Sequence, residues 1–186
     1  MAERISGATR LPLIAVPLFI VVGAAAGGVS GVFWSFLGLF LTSGLSLLYL
    51  LYLVRGGKVG DPRRISQAER IGPLRVVAVL HGVGFLVFYS LGPPDALKAV
   101  LLSYALATVL FALISPFENL SLHTAGISGM TVCLAYIFGA WGLLAALILP
   151  FVWWARKKLE RHTPLELAIG VLVGGGVTWI AFWLIG

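Results

Sequence analysis

Long stretches without a charged side chain alternate with short charged stretches along this 186-residue chain. Asp, Glu, Lys and Arg are absent from 11–54, 76–94, 99–117, 119–155 and 167–186. A helix needs about 20 largely apolar residues to cross the hydrocarbon core of a membrane. The pattern therefore predicts an all-α, polytopic membrane helical bundle.

Turn-forming residues divide these stretches into seven predicted spans. Gly27-Gly28-Val29-Ser30 splits the first stretch into two spans, 11–27 and 31–54. Gly139-Ala140-Trp141-Gly142 splits 120–155 into two shorter spans. The remaining predicted spans are 73–92, 96–115 and 164–186. A count of six stays open, because 120–155 is slightly short for two full spans and the first segment need not cross completely.

Composition agrees with a membrane protein. The chain is 60% hydrophobic and 11% charged, whereas soluble domains are about 25% charged. Its length predicts one membrane domain over 1–186. The only cysteine, Cys133, lies in an apolar stretch, which excludes a disulfide framework and favours a buried, inert thiol. No cleavable signal peptide is expected, because the first apolar run has no small-residue cleavage site and continues into the next span.

The formal net charge is +6, and most basic residues lie in the predicted loops. With seven spans, one side of the membrane holds the N-terminus and the loops 55–72, 116–122 and 156–163. Lys98 is the one cation on the other side. The positive-inside rule predicts that the crowded side is cytoplasmic, in an inner or cell membrane. Because the basic residues lie in loops, membrane topology and phosphate binding explain the positive charge better than nucleic-acid binding does. No nucleic-acid partner is therefore expected.

Three polar clusters fall on this predicted side. They are 58–70 with Arg63 and Arg70, 119–124 with Ser121 and His123, and 156–166 with Arg156, His162 and Glu166. Guanidinium groups bind phosphate oxygens bidentately and keep their charge, so several of them predict an oxyanion site. A neutral histidine can attack phosphorus, a second histidine can protonate the leaving oxygen, and a carboxylate can fix the tautomer of the nucleophile. Such a set can cleave a phosphoester without a metal or another cofactor.

The order and spacing of these clusters resemble the type-2 phosphatidic acid phosphatase family, the membrane relatives of the vanadium haloperoxidases. That family carries Lys-x6-Arg-Pro, then Pro-Ser-Gly-His, then Ser-Arg-x5-His-x3-Asp. Here Arg156-x5-His162-x3-Glu166 follows the third element, with Glu for Asp. Ser121-Leu122-His123 follows the second, with leucine at 120 and 122 for Pro and Gly. Arg63-x6-Arg70 follows the first, with Arg for Lys and Ile71 for Pro, and the resemblance covers about 58–180.

The resemblance implies a metal-independent hydrolase that removes phosphate from a phosphomonoester or diphosphate on a membrane lipid through a phosphohistidine. His162 would be the nucleophile, Glu166 would orient it, and His123 would protonate the leaving group. The phosphate would be held by Arg63, Arg70, Ser121 and Arg156. The implied partners are a lipid phosphate and the bilayer. Isoprenoid and phospholipid phosphates both fit, and the oligomeric state is left open.

Other interpretations of the same residues stay open at this point. Thr163-Pro164-Leu165-Glu166 is also typical of a helix start closed by a capping box, and Ser121 could cap the following helix. Arg156 could anchor a helix end at the membrane surface. The alternative function is a non-catalytic relative that binds lipid or anions. A metal-dependent transferase is disfavoured, because Asp61 and Asp95 are the only aspartates and lie apart.

Overall fold

The computed structural model describes residues 1–60 and 65–186, and over these two ranges the chain is all-helical. The predicted all-α fold is thereby confirmed. The α-helices are α1 Ala2–Ala8, α2 Leu11–Leu39, α3 Leu45–Arg55, α4 Gln67–Ser90, α5 Asp95–Ile114, α6 Leu122–Phe138, α7 Leu149–Lys158 and α8 Pro164–Ile185. A π-helical turn, Phe40–Gly44, joins α2 to α3, and a 3₁₀ segment, Gly139–Ile148, joins α6 to α7.

Among the described residues, five continuous helical segments are long and apolar enough to cross a membrane, by length and composition. They are Leu11–Arg55, Gln67–Ser90, Asp95–Ile114, Leu122–Lys158 and Pro164–Ile185. Two of the five are much longer than one membrane crossing requires, at 45 and 37 residues. Both of these long segments change direction at a glycine.

The first segment folds back on itself at Gly27 and Gly28, where the backbone leaves helical geometry. The Ser35 hydroxyl donates a hydrogen bond to the Phe19 carbonyl over 2.6 Å, whereas 16 residues of straight helix would separate the two by about 24 Å. Gly28 takes a φ of +56°, which favours glycine over any residue with a Cβ atom. The predicted turn between residues 27 and 30 is therefore confirmed, and the two arms of α2 form a helical hairpin.

A second reversal occurs at Gly139, whose φ is +62°. Beyond it, Gly142 lies directly against the backbone of Leu134, with no room for a Cβ atom. Eight residues of straight helix would separate these positions by about 12 Å. The predicted turn within 120–155 is confirmed, and the 3₁₀ segment runs back along α6.

The reversals gather the chain connections at two ends of the helical bundle. We call one the glycine end: it comprises the turns at Gly27–Gly28, residues 91–94 and Gly139. Gly27 approaches Pro94 there. The other, the polar end, comprises α1, the first turn of α4, residues 115–123, and residues 156–166. The hydrogen bonds described below join its parts.

Helices α6 and α8 pack closely because small residues line their contact. Gly170 lies against Thr124, and Gly174 lies against the backbone of Ala125. The Thr124 hydroxyl donates to the Leu167 carbonyl over 3.0 Å, across the two helices. Close approach through small residues and hydroxyl groups is typical of membrane helices. It holds the first turns of α6 and α8 side by side at the polar end.

Candidate active site at the polar end

The start of α8 is fixed by a reciprocal pair of hydrogen bonds. The Thr163 hydroxyl accepts from the Glu166 amide over 3.3 Å, and the Glu166 carboxylate accepts from the Thr163 amide over 2.6 Å. Pro164, the first helical residue, has no amide hydrogen to satisfy. The capping-box interpretation of these residues is therefore confirmed. It also places His162 in the short turn just before the helix.

The His162 ring is buried, with 9% of the residue exposed. Its Nδ1 lies 2.8 Å from the Asn119 carbonyl oxygen, and its Nε2 lies 3.1 Å from Nη2 of Arg156. A carbonyl oxygen only accepts and a guanidinium only donates. The proton of the neutral ring is therefore on Nδ1, and Nε2 carries the lone pair.

Burial is the main cause that lowers the pKa of His162, from 6.5 to about 4, and the charge of Arg156 adds to it. The Asn119 carbonyl, which accepts from Nδ1, acts in the opposite direction. At neutral pH the ring is uncharged, as a nitrogen nucleophile requires.

Glu166 does not make the hydrogen bond to His162 that the sequence led us to expect. Its Oε2 lies 3.7 Å from Nδ1 of His162, which is beyond hydrogen-bond distance. The capping box explains the difference, since the same Oε2 accepts from the Thr163 amide. The Asn119 carbonyl accepts the hydrogen bond from Nδ1 of His162 that Glu166 was expected to accept. The catalytic role of Glu166 stays a prediction.

Arg156 lies in the last turn of α7 and faces inward, whereas the neighbouring Lys157 and Lys158 are exposed. Its Nη1 donates to the Ser6 hydroxyl over 2.9 Å, and its Nη2 donates to Nε2 of His162. Its buried Nε finds no hydrogen-bond partner within the described residues. Arg156 therefore keeps one donor, Nε, to spare.

His123 lies in the first turn of α6, and its Nε2 is 3.1 Å from the Ser6 carbonyl oxygen. Because that oxygen can only accept, Nε2 of His123 carries a proton. Ser6 thus bonds both His123 and Arg156, through its carbonyl and its hydroxyl respectively. The two histidines are linked by a chain of three hydrogen bonds that passes through Ser6 and Arg156.

Arg70 projects from the first turn of α4, which a capping box between Ser66 and Glu69 closes. Its Nη1 donates to the Asn119 side-chain oxygen over 2.9 Å, and its Nη2 donates to the Leu120 carbonyl over 2.8 Å. Arg70 thus holds the backbone just before α6, and each terminal nitrogen keeps a second hydrogen for another acceptor.

Ser121 is fully buried and caps α6. Its hydroxyl accepts from the Thr124 amide over 3.4 Å, and its own amide donates to the Glu166 carbonyl over 3.4 Å. The capping role that the sequence left open is therefore present, and its role as a phosphate ligand stays a prediction.

The structure brings six of the seven predicted site residues to the polar end. These are Arg70, Ser121, His123, Arg156, His162 and Glu166; the seventh, Arg63, lies outside the described residues. Within the described ranges, no carboxylate lies within ion-pair distance of Arg70 or Arg156. No three His, Cys, Asp or Glu side chains of those ranges are placed to hold a metal ion. Arg70 and Arg156 make the cluster net positive even with the Glu166 carboxylate, whose charge acts on Arg70. A net positive cluster attracts anions, and guanidinium suits phosphate oxygens.

Sequence reasoning placed Asn119 in the polar cluster 119–124 but gave it no role, and it missed Ser6 entirely. Asn119 is a polar residue between two apolar stretches, which is a signal for a functional position. Ser6 offers no such signal, because it lies 117 residues from His123 and 150 residues from Arg156. Only the packing of α1 against the bundle brings it to the site.

Comparison with known proteins yields no match for this chain, whether among protein-family models, curated proteins or solved structures.

Proposed function

We propose that the chain is an integral membrane protein whose helices cross the bilayer seven times. The two arms of α2, with α3, supply two crossings, and the reversal at Gly139 divides the fourth segment, Leu122–Lys158, into two more. The distribution of side chains supports this proposal. Large apolar residues such as Phe33, Leu172 and Trp183 are over 70% exposed, an arrangement that suits lipid contact rather than water.

With seven crossings, the polar end faces one side of the membrane, and we propose that this side is the cytoplasm. Single cysteines introduced by Phe117→Cys and Arg161→Cys should then react with an impermeant thiol reagent from the same side. The glycine-end variant Asp95→Cys should react from the opposite side. Labelling of Phe117→Cys and Arg161→Cys from opposite sides would refute both the crossing number and a common site.

We further propose that the polar end hydrolyses a phosphomonoester or diphosphate carried by a membrane lipid. The observation that carries this proposal is the neutral His162, whose Nε2 lone pair faces Arg156 in a cluster of cations. Binding of the phosphate would draw the Arg156 hydrogen from Nε2 to a phosphate oxygen. Nε2 would then attack phosphorus and form a nitrogen–phosphorus bond.

The leaving oxygen needs a proton as its bond to phosphorus breaks. His123 is the candidate donor: it would take up the proton of the bound phosphate group, so that both ring nitrogens are protonated, and then pass the Nε2 proton to the leaving oxygen. The resulting phosphohistidine would be attacked by water, with His123 accepting a proton from it. Inorganic phosphate and free His162 would be the products, so that the cycle needs no other reactant.

The position of the polar end at the predicted membrane surface favours a substrate whose tail lies in the bilayer. Phosphatidic acid, phosphatidylglycerophosphate and polyprenyl phosphates or diphosphates meet this requirement. Purified protein should release phosphate from at least one of these lipids in the presence of EDTA. His162→Ala should abolish the release, and the exposed neighbour variant Lys158→Ala should retain it. Full activity in His162→Ala would refute the nucleophile.

A second candidate function is anion or lipid binding without turnover. The occupied lone pair of His162 and the engagement of Glu166 in the capping box favour it. Calorimetry with orthovanadate would separate the two functions. Stoichiometric vanadate binding, together with no phosphate release and no labelled phosphohistidine from any lipid of the panel, would establish the binding function.

A further inference from the structure

Asn119 makes three hydrogen bonds that join its own segment before α6 to two other parts of the polar end. Its side-chain oxygen accepts from Arg70 of α4 over 2.9 Å, and its side-chain nitrogen donates to the Arg161 carbonyl over 3.4 Å. Its backbone carbonyl accepts from Nδ1 of His162 over 2.8 Å. It thereby ties α4, the start of α6 and the turn before α8 together at one point.

The amide side chain suits both of its partners. Arg70 is only a donor and the Arg161 carbonyl is only an acceptor, so the residue between them must supply one acceptor and one donor. An aspartate could accept from Arg70 but could not donate to Arg161. A smaller residue would leave both partners unsatisfied and would free the backbone carbonyl that faces His162.

We propose, on the basis of the proposed phosphatase function, that Asn119 is a positioning residue that fixes the ring orientation and tautomer of His162. Its side chain anchors the backbone carbonyl that accepts from Nδ1. This anchor keeps the lone pair on Nε2, the nitrogen that faces Arg156. Groups that orient a ligand or nucleophile in this way typically affect activity by about 10- to 100-fold when removed.

Asn119→Ala tests this role through a division between kcat and KM. The variant should lower kcat by about 10- to 100-fold and change KM by less than about threefold, because the phosphate-binding cations remain. Glu118→Gln is the matched control on the adjacent residue and should keep kcat within about twofold. Equal kcat in Asn119→Ala and the wild type would overturn the proposal.

Asn119→Asp adds a readout that a merely structural residue would not give. It preserves the acceptor for Arg70 and places a negative charge beside His162, so it should recover part of the activity lost in Asn119→Ala. The added charge should raise the pKa of His162 and move the acid limb of the rate profile to higher pH. An unchanged acid limb would contradict the proposal.

A spectroscopic measurement separates this proposal from the phosphatase function. The chain has three histidines, so ¹⁵N-histidine spectra can be assigned with single variants. His162 should show protonated Nδ1 and unprotonated Nε2 in the wild type, and a mixture of tautomers in Asn119→Ala. If the protein releases no phosphate but the tautomer depends on Asn119, the phosphatase function fails and the positioning role stands. The same tautomer in both proteins would overturn it.

A different observation, the docking of α1, carries a second inference about the same site. Ser6 is 9% exposed, and its carbonyl and hydroxyl oxygens accept from His123 and Arg156. Two oxygens of a bound phosphate group would need the same two donors, those of His123 and Arg156. We infer that α1 covers the site and is displaced when an anion binds.

A spin label on α1 tests this displacement without requiring catalysis. The label is attached at Glu3→Cys, an exposed position, after the buried native thiol is removed by Cys133→Ala. Its mobility should rise as inorganic phosphate is added, at the concentrations at which calorimetry detects binding. A label at Lys98→Cys, on the glycine end, should not respond. Phosphate binding with an unchanged Glu3→Cys signal, or no phosphate binding at all, would overturn the inference.

Discussion

The two ends of the bundle turn the chain in different ways. At the glycine end, Gly28, Gly92 and Gly139 take φ values of +56°, +75° and +62°, so the chain reverses within a few residues. At the polar end, the helices α4, α6 and α8 begin with the side-chain caps Ser66, Ser121 and Thr163. The second arrangement needs longer connections, which carry polar side chains.

This difference explains why a candidate site lies at one end of the bundle. A glycine reversal satisfies its backbone with few residues and brings no side chain that could bind or react. A capped helix start presents its first turn, and the connection before it, to neighbouring helices. Asn119 and His162 occupy such connections and meet Arg70 and Arg156 there. Removal of one cation from each end tests this difference.

Arg156→Ala at the polar end should lower kcat/KM by about 10²-fold or more, as expected for the loss of a donor to a transferring phosphoryl group. Lys98→Ala at the glycine end should leave kcat/KM within about twofold. Phosphate release from the best lipid of the panel, measured in detergent micelles, checks both. Equal effects of the two substitutions would end the functional distinction between the ends.

The pH dependence should reflect the low pKa of His162, about 4. The ring stays neutral until the pH approaches 4, so kcat/KM should not show the acid limb near pH 6.5 expected for an unperturbed histidine. Such a histidine would lose activity about tenfold per pH unit below 6.5. A rate profile between pH 4 and 8 checks this. An acid limb near pH 6.5 that persists when either of the other two histidines is replaced would contradict it.

The same pKa has a consequence for stability. Between pH 6.5 and about 4, the unfolded chain binds a proton at His162 that the folded protein does not bind. Stability therefore falls as the pH decreases through this window. The thermal midpoint of the wild type should decline there more steeply than that of His162→Ala.

The close packing of α6 on α8 should stabilise the polar end, even though the contact itself lies deeper in the bundle. Gly174→Ala places a Cβ atom against the backbone of Ala125 and should destabilise the fold by about 1–3 kcal/mol. Gly176→Ala, on the same helix with open space around it, is the matched control. Thermal unfolding in detergent compares them, and equal midpoints would show that the contact is not tight.

The smallest effect is expected at the ion pair of the glycine end. Lys98 and Asp95 approach to 2.8 Å, and the Asp95 side chain is 67% exposed. An exposed pair of this kind contributes between about 0 and 1 kcal/mol. Asp95→Asn should therefore shift the thermal midpoint by little and leave phosphate release unchanged. A large loss of activity would mean that the glycine end also contributes to function.

The sequence alone determined the features that depend on local chemistry. The charge-free stretches predicted helices, and glycine clusters predicted the reversals at residues 27–30 and 139–142, because both signals lie within a few residues of the structure they cause. The capping box of Thr163 and Glu166 was open to prediction for the same reason. The spacing of Arg156 and His162 likewise placed both residues in one cluster.

Only the tertiary structure decided which group contacts each nitrogen of His162. The orienting oxygen belongs to the backbone of Asn119, 43 residues away, and a backbone acceptor leaves no mark on a side-chain pattern. The contacts of Ser6 span still longer separations. Glu166 had the right spacing, but its local bond to Thr163 outcompeted the expected bond to His162. Local spacing selects the candidates, and helix packing determines which of them reach one another.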